Sequence, residues 1–274
     1  MQVMLYRHGK DRSTQMTQSI HNGKTHFTFT RSRFDGVLFD LDGVVTKTSK
    51  VHALAWKAMF DNFLQEWTGR TGQKQPAFDI VGDYGRYVDG LPRHEGVARF
   101  LASRRIVLPQ GQDSDAPEAQ TIFGLGNRKN ALLLELIRQH GVEVYPSTVS
   151  LIRDLRGHGY RIAVVSSSAN CREILMSAGL LDLFDARVDG LDLARGKLRG
   201  KPMPDSFLEA ARRLGISPSR AAVVEDALAG VEAGHAGGFR AVIGVDRLGQ
   251  ADALAQAGAT VVVEDLSLIA VNAS

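Results

Sequence analysis

The chain has 274 residues, of which 44% are hydrophobic and 23% are charged, a composition typical of a globular protein with an ample core. No apolar stretch approaches the roughly 20 residues that cross a bilayer, so a membrane protein is not expected. The single cysteine, Cys171, excludes an internal disulfide and favours a cytoplasmic location.

The net charge of +3 is unevenly distributed along the chain. Residues 1–33 hold six lysines and arginines and one acid, a net charge of +5, which leaves −2 on residues 34–274. Because the body of the chain is slightly acidic, nucleic-acid binding is not expected. Residues 1–33 are also polar and without period, which predicts a flexible N-terminal extension. Within it, only Phe27–Thr30 has strand character and can pair at a sheet edge.

An apolar run at residues 37–39 predicts a buried strand that ends at Asp40. Helical patterns follow at residues 51–67, 96–103 and 130–140. A polar loop separates the second pattern from the third, and no strong strand interrupts the stretch. The region is therefore expected to be an all-helical insert.

From residue 144 onward, short aliphatic strands alternate with helices, which predicts a doubly wound parallel sheet. The predicted strands lie at residues 162–165, 186–188, 221–224, 240–244 and 260–263. The predicted helices lie at residues 170–178 and 204–214. The expected fold class is α/β, with a Rossmann-like core of residues 34–49 and 144–274. An all-helical cap domain, residues 50–143, is inserted into this core.

Two carboxylates, Asp40 and Asp42, follow the first predicted strand. Alternate residues of an extended segment point the same way, so the two carboxylates can converge. Converging carboxylates repel unless a cation or a proton lies between them, and ligand sets made only of oxygen favour Mg²⁺. The alternative is a strand end at which Asp-Gly simply makes a turn.

Polar residues also follow the strand at 162–165. Ser166, Ser168 and Asn170 either cap the next helix or donate hydrogen bonds to a phosphate at its N-terminus. Lys201 precedes a proline and is either a solvated surface residue or a counter-charge for phosphate.

Two further acids, Glu225 and Asp226, end the strand at 221–224. Their alternative role is to cap a helix. Ligands of open α/β sheets bind beyond the carboxyl ends of the strands, so these acids are expected near Asp40 and Asp42. Four acids at one place require a cation.

These clusters, in this order, resemble the four motifs of the haloacid dehalogenase-like superfamily of phosphotransferases over about residues 34–270. The matches in motif order are Asp40 to Val44, Ser166, Lys201 and Glu225–Asp226. The resemblance implies that Asp40 is the nucleophile and becomes an aspartyl phosphate, while Asp42 is the general acid and base. It also implies that Ser166 and Lys201 hold the phosphoryl oxygens. The implied Mg²⁺ ligands are Asp40, the backbone carbonyl of Asp42, Glu225 and Asp226.

The insert resembles the cap of the β-phosphoglucomutases, a group within this superfamily. The resembling segments are residues 40–56, 88–93 and 128–130. The resemblance implies that Arg93 grips a second phosphate of the substrate. The implied substrate-contacting residues are Thr48, His52, Trp56, Gly90, Arg93, Lys129, Asn130, Ser168 and Asn170. The alternatives are a core residue for Trp56 and solvated side chains for His52 and Arg93.

A phosphate grip at each end of the site is what a mutase needs, because a bisphosphorylated intermediate must turn and present its other phosphate. The expected function is a Mg²⁺-dependent sugar-phosphate mutase. It would interconvert β-glucose 1-phosphate and glucose 6-phosphate through an aspartyl-phosphate enzyme and glucose 1,6-bisphosphate. The alternative is a Mg²⁺-dependent phosphatase of a small phosphorylated sugar or metabolite. The expected partner is a small-molecule sugar phosphate, and a monomer is expected because the cap must open over the core.

Overall fold

The computed structural model describes residues 19–21 and 24–272, with side chains described for residues 27–272. The strands in chain order are β1 (Ser19–His21), β2 (Lys24–Thr30), β3 (Gly36–Asp40), β4 (Arg161–Val165), β5 (Ala186–Val188), β6 (Ala221–Glu225), β7 (Ala241–Val245), β8 (Val261–Val263) and β9 (Ile269–Asn272). The helices of the core are α4 (Pro146–Gly157), α5 (Cys171–Ser177), α6 (Gly190–Gly196), α7 (Asp205–Leu214), α8 (Leu228–Ala236) and α9 (Ala251–Gln256). Those inserted after β3 are α1 (Thr48–Thr71), α2 (Arg93–Ser103) and α3 (Ile122–His140).

The central sheet has the strand order β5-β4-β3-β6-β7-β8, and its paired strands are all parallel. The order reverses at β3, between β4 and β6, so the sheet is doubly wound. The predicted α/β class is therefore confirmed. None of the helices in the described part of the chain is long and apolar enough to cross a membrane.

Alternate residues of β3 enter two different hydrophobic clusters, because successive side chains of a strand point to opposite faces. Val37 and Phe39 pack with residues of α4 and α5 on one face. Leu38 packs with residues of α7 on the other. The sequence of β3 is continuously apolar because both faces of the strand are buried. The same burial fixes the position of Asp40 at the end of the strand.

The strand β2 shows that the predicted N-terminal extension was drawn too long. β2 pairs in parallel with β9, and Phe27 and Phe29 are buried against Phe34. The predicted strand at Phe27–Thr30 is thus confirmed. The prediction of a flexible extension is wrong for residues 24–30, because Phe27 and Phe29 of this strand join the core. The part of that prediction that covers residues 1–18 lies outside the described residues.

The helices α1 to α3 lie in a segment, residues 48–143, that we call the cap segment. It has a hydrophobic cluster of its own, which includes Trp56, Phe60, Phe63, Phe100 and Leu125. The two chain crossings between core and cap run side by side. The amide of Lys47 donates to the carbonyl of Glu143 at 2.8 Å, and that of Tyr145 donates to Val45 at 3.0 Å.

Candidate active site

Parallel pairing brings three of the motifs to one edge of the sheet. Asp40 is the last residue of β3 and pairs with Val165, directly before Ser166. Glu225 is the last residue of β6, the neighbour of β3 on its other side. The carboxyl ends of three adjacent strands therefore place a nucleophile candidate between a serine and an acid.

Lys201 joins two of these acids. Its side chain is 1% exposed, and its ammonium donates hydrogen bonds to Oδ1 of Asp40 and Oε1 of Glu225. Burial alone would lower the pKa of Lys201, but the two carboxylates outweigh it and raise that pKa. Lys201 is therefore a fixed positive charge at the bottom of the site, and its surface alternative does not apply.

The acids Asp40, Glu225 and Asp226 form a cluster that could hold a metal ion, since their ligand atoms all lie within 4.8 Å of one another. Burial raises the pKa of Asp40, and the charges of Glu225 and Asp42 raise it further, against the effect of Lys201. The pKa of Asp226 is raised by burial and then by Glu225. A divalent cation would relieve this repulsion, so the residues fit such an ion.

Glu225 has less capacity left for a metal than the other two acids. Its Oε1 accepts from Lys201, and its Oε2 accepts from the amides of Asp226 and Ala227, each at 3.0 Å. Asp226 lies against Gly43, where a β-carbon would come within 1.8 Å of its Oδ2. The glycine after the two aspartates thus gives Asp226 its place in the cluster.

Asp42 is held by two hydroxyl groups, and a histidine lies next to it. Thr48 donates to its Oδ1, and Ser166 donates to its Oδ2 at 3.2 Å. Nε2 of His52 lies 3.6 Å from Oδ1, slightly beyond hydrogen-bond distance. Its Nδ1 lies 3.2 Å from the ammonium of Lys129. Burial and then Lys129 lower the pKa of His52 to about 4, so this imidazole is neutral at pH 7.

Two cations of the cap segment face the cavity without an acid partner. Among the residues that the structure describes, no carboxylate lies within 4.0 Å of the charged nitrogens of Arg93 or Lys129. Burial lowers the pKa of Arg93, and it lowers that of Lys129 to about 7. The ammonium of Lys129 lies 5.0 Å above the ring of Trp56. An anionic ligand would complement both cations.

The cap segment touches the core beside this site. The carbonyl of Gly90 accepts a hydrogen bond from Ser167 at 2.8 Å. Gly90 has a φ of +68°, and a β-carbon there would lie 3.4 Å from that of Ala227. Farther along the interface, the side-chain nitrogen Nδ2 of Asn170 donates to Oδ1 of Asn130 at 2.7 Å. The two asparagines that the sequence assigned to substrate therefore contact each other across the interface.

Between cap and core lies a cavity of about 520 Å³. The sequence-predicted residues that line it are Asp40, Asp42, His52, Trp56, Gly90, Arg93, Lys129, Asn130, Ser168, Glu225 and Asp226. Those that do not line it are Thr48, Ser166, Asn170 and Lys201, which contact lining residues instead. Lining residues that sequence reasoning missed include Tyr84, Asp89, His94 and Asp113. Of these, Asp89 directly precedes Gly90, a predicted substrate contact, so the same sequence motif could have identified it.

The model of the haloacid dehalogenase-like hydrolase family matches residues 34–238 of the chain. The β-phosphoglucomutase of Mycobacterium bovis is 49% identical over 233 residues, which are 84% of this chain and 89% of that protein. The β-phosphoglucomutase of Bacillus subtilis is 32% identical over 208 residues, 75% of this chain and 81% of its own. The crystal structure of a β-phosphoglucomutase from Clostridium difficile shares the fold, with a TM-score of 0.65 at 24% identity, and the match covers 85% of this chain and 92% of that one.

The chain therefore belongs to the haloacid dehalogenase-like family of enzymes, as the four motifs predicted. The predicted resemblance to the β-phosphoglucomutases within that family is also confirmed.

Proposed function

We propose that the protein is a Mg²⁺-dependent β-phosphoglucomutase that interconverts β-glucose 1-phosphate and glucose 6-phosphate. The observation that carries the proposal is the distribution of charge in one cavity. The core side has Asp40 with Lys201, and the cap side has Arg93 and Lys129 without acid partners. A phosphatase needs only the first group. A mutase needs both, because its intermediate carries two phosphates.

In this mechanism Asp40 receives the phosphoryl group. One of its carboxylate oxygens forms a bond to phosphorus while the bond between phosphorus and the sugar oxygen breaks. Asp42 gives a proton to that leaving oxygen, and in the return step it takes a proton from the attacking sugar hydroxyl. Thr48 and Ser166 support this role, since their hydroxyls fix the orientation of the Asp42 carboxylate.

The metal site would be made of Asp40 and Asp226 with the backbone carbonyl of Asp42, and Glu225 would fix their positions. When bound there, Mg²⁺ offsets the repulsion between a carboxylate nucleophile and a phosphate. Lys201 holds one oxygen of Asp40 and leaves the other for attack. Its positive charge lies where charge develops on the transferring phosphoryl oxygens.

The second phosphate of the intermediate would lie against Arg93 and Lys129. A guanidinium offers a planar pair of donors suited to phosphate oxygens. Lys129 has a pKa of about 7, so an arriving phosphate would favour its charged form. The contacts of Gly90 with Ser167 hold the cap segment over Asp40, where closure excludes the water that would hydrolyse an aspartyl phosphate.

We further propose that residues 50–143 act as a cap domain over a core of residues 34–49 and 144–274. The separate hydrophobic cluster of the cap segment supports this division. The paired crossings at Lys47 and Tyr145 offer the hinge. A cap that opens and closes in this way suits a monomer, and the single cysteine suits the cytoplasm.

The test supplies purified protein with Mg²⁺, β-glucose 1-phosphate and a trace of glucose 1,6-bisphosphate. Glucose 6-phosphate should form without a stoichiometric amount of free phosphate. Free phosphate as the main product would instead establish the phosphatase. The Asp40→Asn variant, purified in parallel, reports any activity from contaminating enzymes.

The role of Arg93 separates the two functions further. Arg93→Ala should reduce kcat/KM for the mutase reaction by about 10- to 100-fold, the value of a lost charge-assisted hydrogen bond. Hydrolysis of a small ester with one phosphate should fall far less. Equal losses in both reactions would show that Arg93 does not bind the second phosphate.

A further inference from the structure

Two residues of the cap segment, Tyr84 and Asp89, line the cavity and have no part in the phosphoryl transfer described above. Residues Tyr84–Val88 form a π-helical turn, a rare conformation that is frequent at functional sites. The turn is closed by the amide of Asp89, which donates to the carbonyl of Tyr84 at 3.0 Å. This bond places the two side chains next to each other, close enough for the Tyr84 hydroxyl to act on the Asp89 carboxylate.

The position of Asp89 over the cavity is fixed by its neighbour in the chain. Gly90 accepts the hydrogen bond of Ser167 and packs against Ala227. While these contacts persist, the preceding residue, Asp89, cannot move away from the core. Docking of the cap is thus accomplished by Gly90. The carboxylate of Asp89 is not needed for it.

No cation in the described part of the chain contacts the carboxylate of Asp89. Within residues 27–272, no lysine, arginine or histidine nitrogen lies within 4.0 Å of its carboxylate. Asp89 also lies outside the three-acid cluster that could hold a metal. An ionised carboxylate is acceptor-only, and Tyr84 can supply at most one donor, so further acceptor positions face the cavity. Removing them from water without new donors would be costly.

The two sides of the cap therefore differ in chemistry. Arg93 and Lys129 offer donors and positive charge, which suit phosphate. Asp89 offers acceptors, which suit neutral donors. A sugar phosphate presents both groups on one molecule, since neighbouring hydroxyls are donors and the phosphate is an anion.

We propose that Asp89, oriented by Tyr84, accepts hydrogen bonds from hydroxyl groups of the sugar and thereby selects polyhydroxylated phosphates over simple phosphate esters. This inference rests on the proposed function, whose substrate class it specifies. Asp89 is a specificity-determining residue that contacts the substrate, and Tyr84 is a positioning residue that acts through it.

The experiment measures kcat/KM for β-glucose 1-phosphate and for its 2-deoxy, 3-deoxy and 4-deoxy analogues. The variants are Asp89→Ala, Tyr84→Phe and, as a control, Glu95→Gln. Glu95 is a partly buried acid of the same cap segment, paired with Arg99, and its substitution removes one negative charge outside the cavity. Because the analogues are compared within each variant, a general loss of folded protein does not affect the result.

Asp89→Ala should lower kcat/KM for the parent sugar by about 10- to 100-fold, as expected for lost hydrogen bonds to a charged acceptor. For at least one deoxy analogue the same variant should lose less than about 3-fold, because the hydroxyl that Asp89 binds is already absent. Tyr84→Phe should show the same dependence on the analogue with a smaller effect, mainly in KM. Glu95→Gln should match wild type.

Equal losses of Asp89→Ala across the parent and all three analogues would overturn the inference, as would no loss with any of them. Failure of wild type to convert β-glucose 1-phosphate at all is a different result. It would overturn the proposed function and, with it, the substrate class inferred here.

Discussion

Lys129→Met is predicted to raise the stability of the protein and to lower its mutase turnover. Lys129 is 4% exposed, and its ammonium lies beside Trp56 and His52, with no carboxylate partner within the described residues. Burial lowers its pKa from 10.5 to about 7. The folded state therefore holds this proton less tightly than the unfolded state does.

The sign and size of the effect follow from that difference. A lowered lysine pKa costs stability in full below the folded pKa, and the cost fades as the pH rises towards the unfolded pKa. The two pKa values give a cost on the order of 5 kcal/mol at pH 6 and about 2 kcal/mol at pH 9. Methionine has a similar length and carries no charge, so the variant should recover most of this cost.

The assay is urea unfolding of wild type and Lys129→Met at pH 6 and at pH 9. The gain in unfolding free energy should be larger at pH 6 by about 3 kcal/mol. Mutase turnover should fall about 10- to 100-fold, because a phosphate contact is lost. Lys50→Met, at an exposed position of helix α1 in the same cap segment, should change stability by less than about 0.5 kcal/mol. An equal gain at both pH values, or no gain, would refute the assignment of Lys129 as a buried, unpaired cation.

Three further substitutions test other parts of the structure. Asp40→Asn should abolish mutase turnover and ester hydrolysis alike in a folded protein; turnover that persists would exclude the covalent mechanism. Gly43→Ala should weaken Mg²⁺ binding in a direct titration, because its φ is +98° and its β-carbon would collide with Asp226; Gly69→Ala, with open space around it, should bind Mg²⁺ normally. Phe29→Ala should lower the free energy of unfolding by about 3–5 kcal/mol, the usual cost of removing a buried phenyl ring, and a loss below about 1 kcal/mol would mean that β2 is not part of the core.

The sheet and the position of the acids could be predicted because both depend on local patterns. Short aliphatic runs such as residues 37–39 predict buried parallel strands, and such strands have their carboxyl ends at one edge. Asp40 and Glu225 end adjacent strands for this reason, and their proximity follows from topology. Lys201 donates hydrogen bonds to both acids. It thus supplies part of the positive charge that several acids at one place require.

Other features depended on contacts that no local pattern describes. The strand β2 is polar at alternate positions and finds its partner, β9, at the opposite end of the chain, so its two buried phenylalanines gave a weak signal. The helix α6 was missed although its signal was present: Asp189 and Asp192 form a capping box at its start.

The cap residues were the hardest to place, because their roles depend on how the cap meets the core. Asn130 and Asn170 are separated by 40 positions, and their side chains are hydrogen-bonded to each other. The sequence around either asparagine gives no sign of this contact. Tyr84 and Asp89 meet through a π-helical turn, whose five-residue spacing matches neither the usual helical nor the strand period.

The central claim is that Asp40 carries a phosphoryl group between two positions of a sugar. Its most direct test mixes the protein with Mg²⁺ and a small excess of glucose 1,6-bisphosphate, stops the reaction rapidly and maps phosphorylation by mass spectrometry. Phosphate should be found on the peptide that contains Asp40, and it should disappear into sugar phosphate when β-glucose 1-phosphate is added before the stop. An unmodified Asp40 peptide, or loss of its phosphate only to water, would contradict the account.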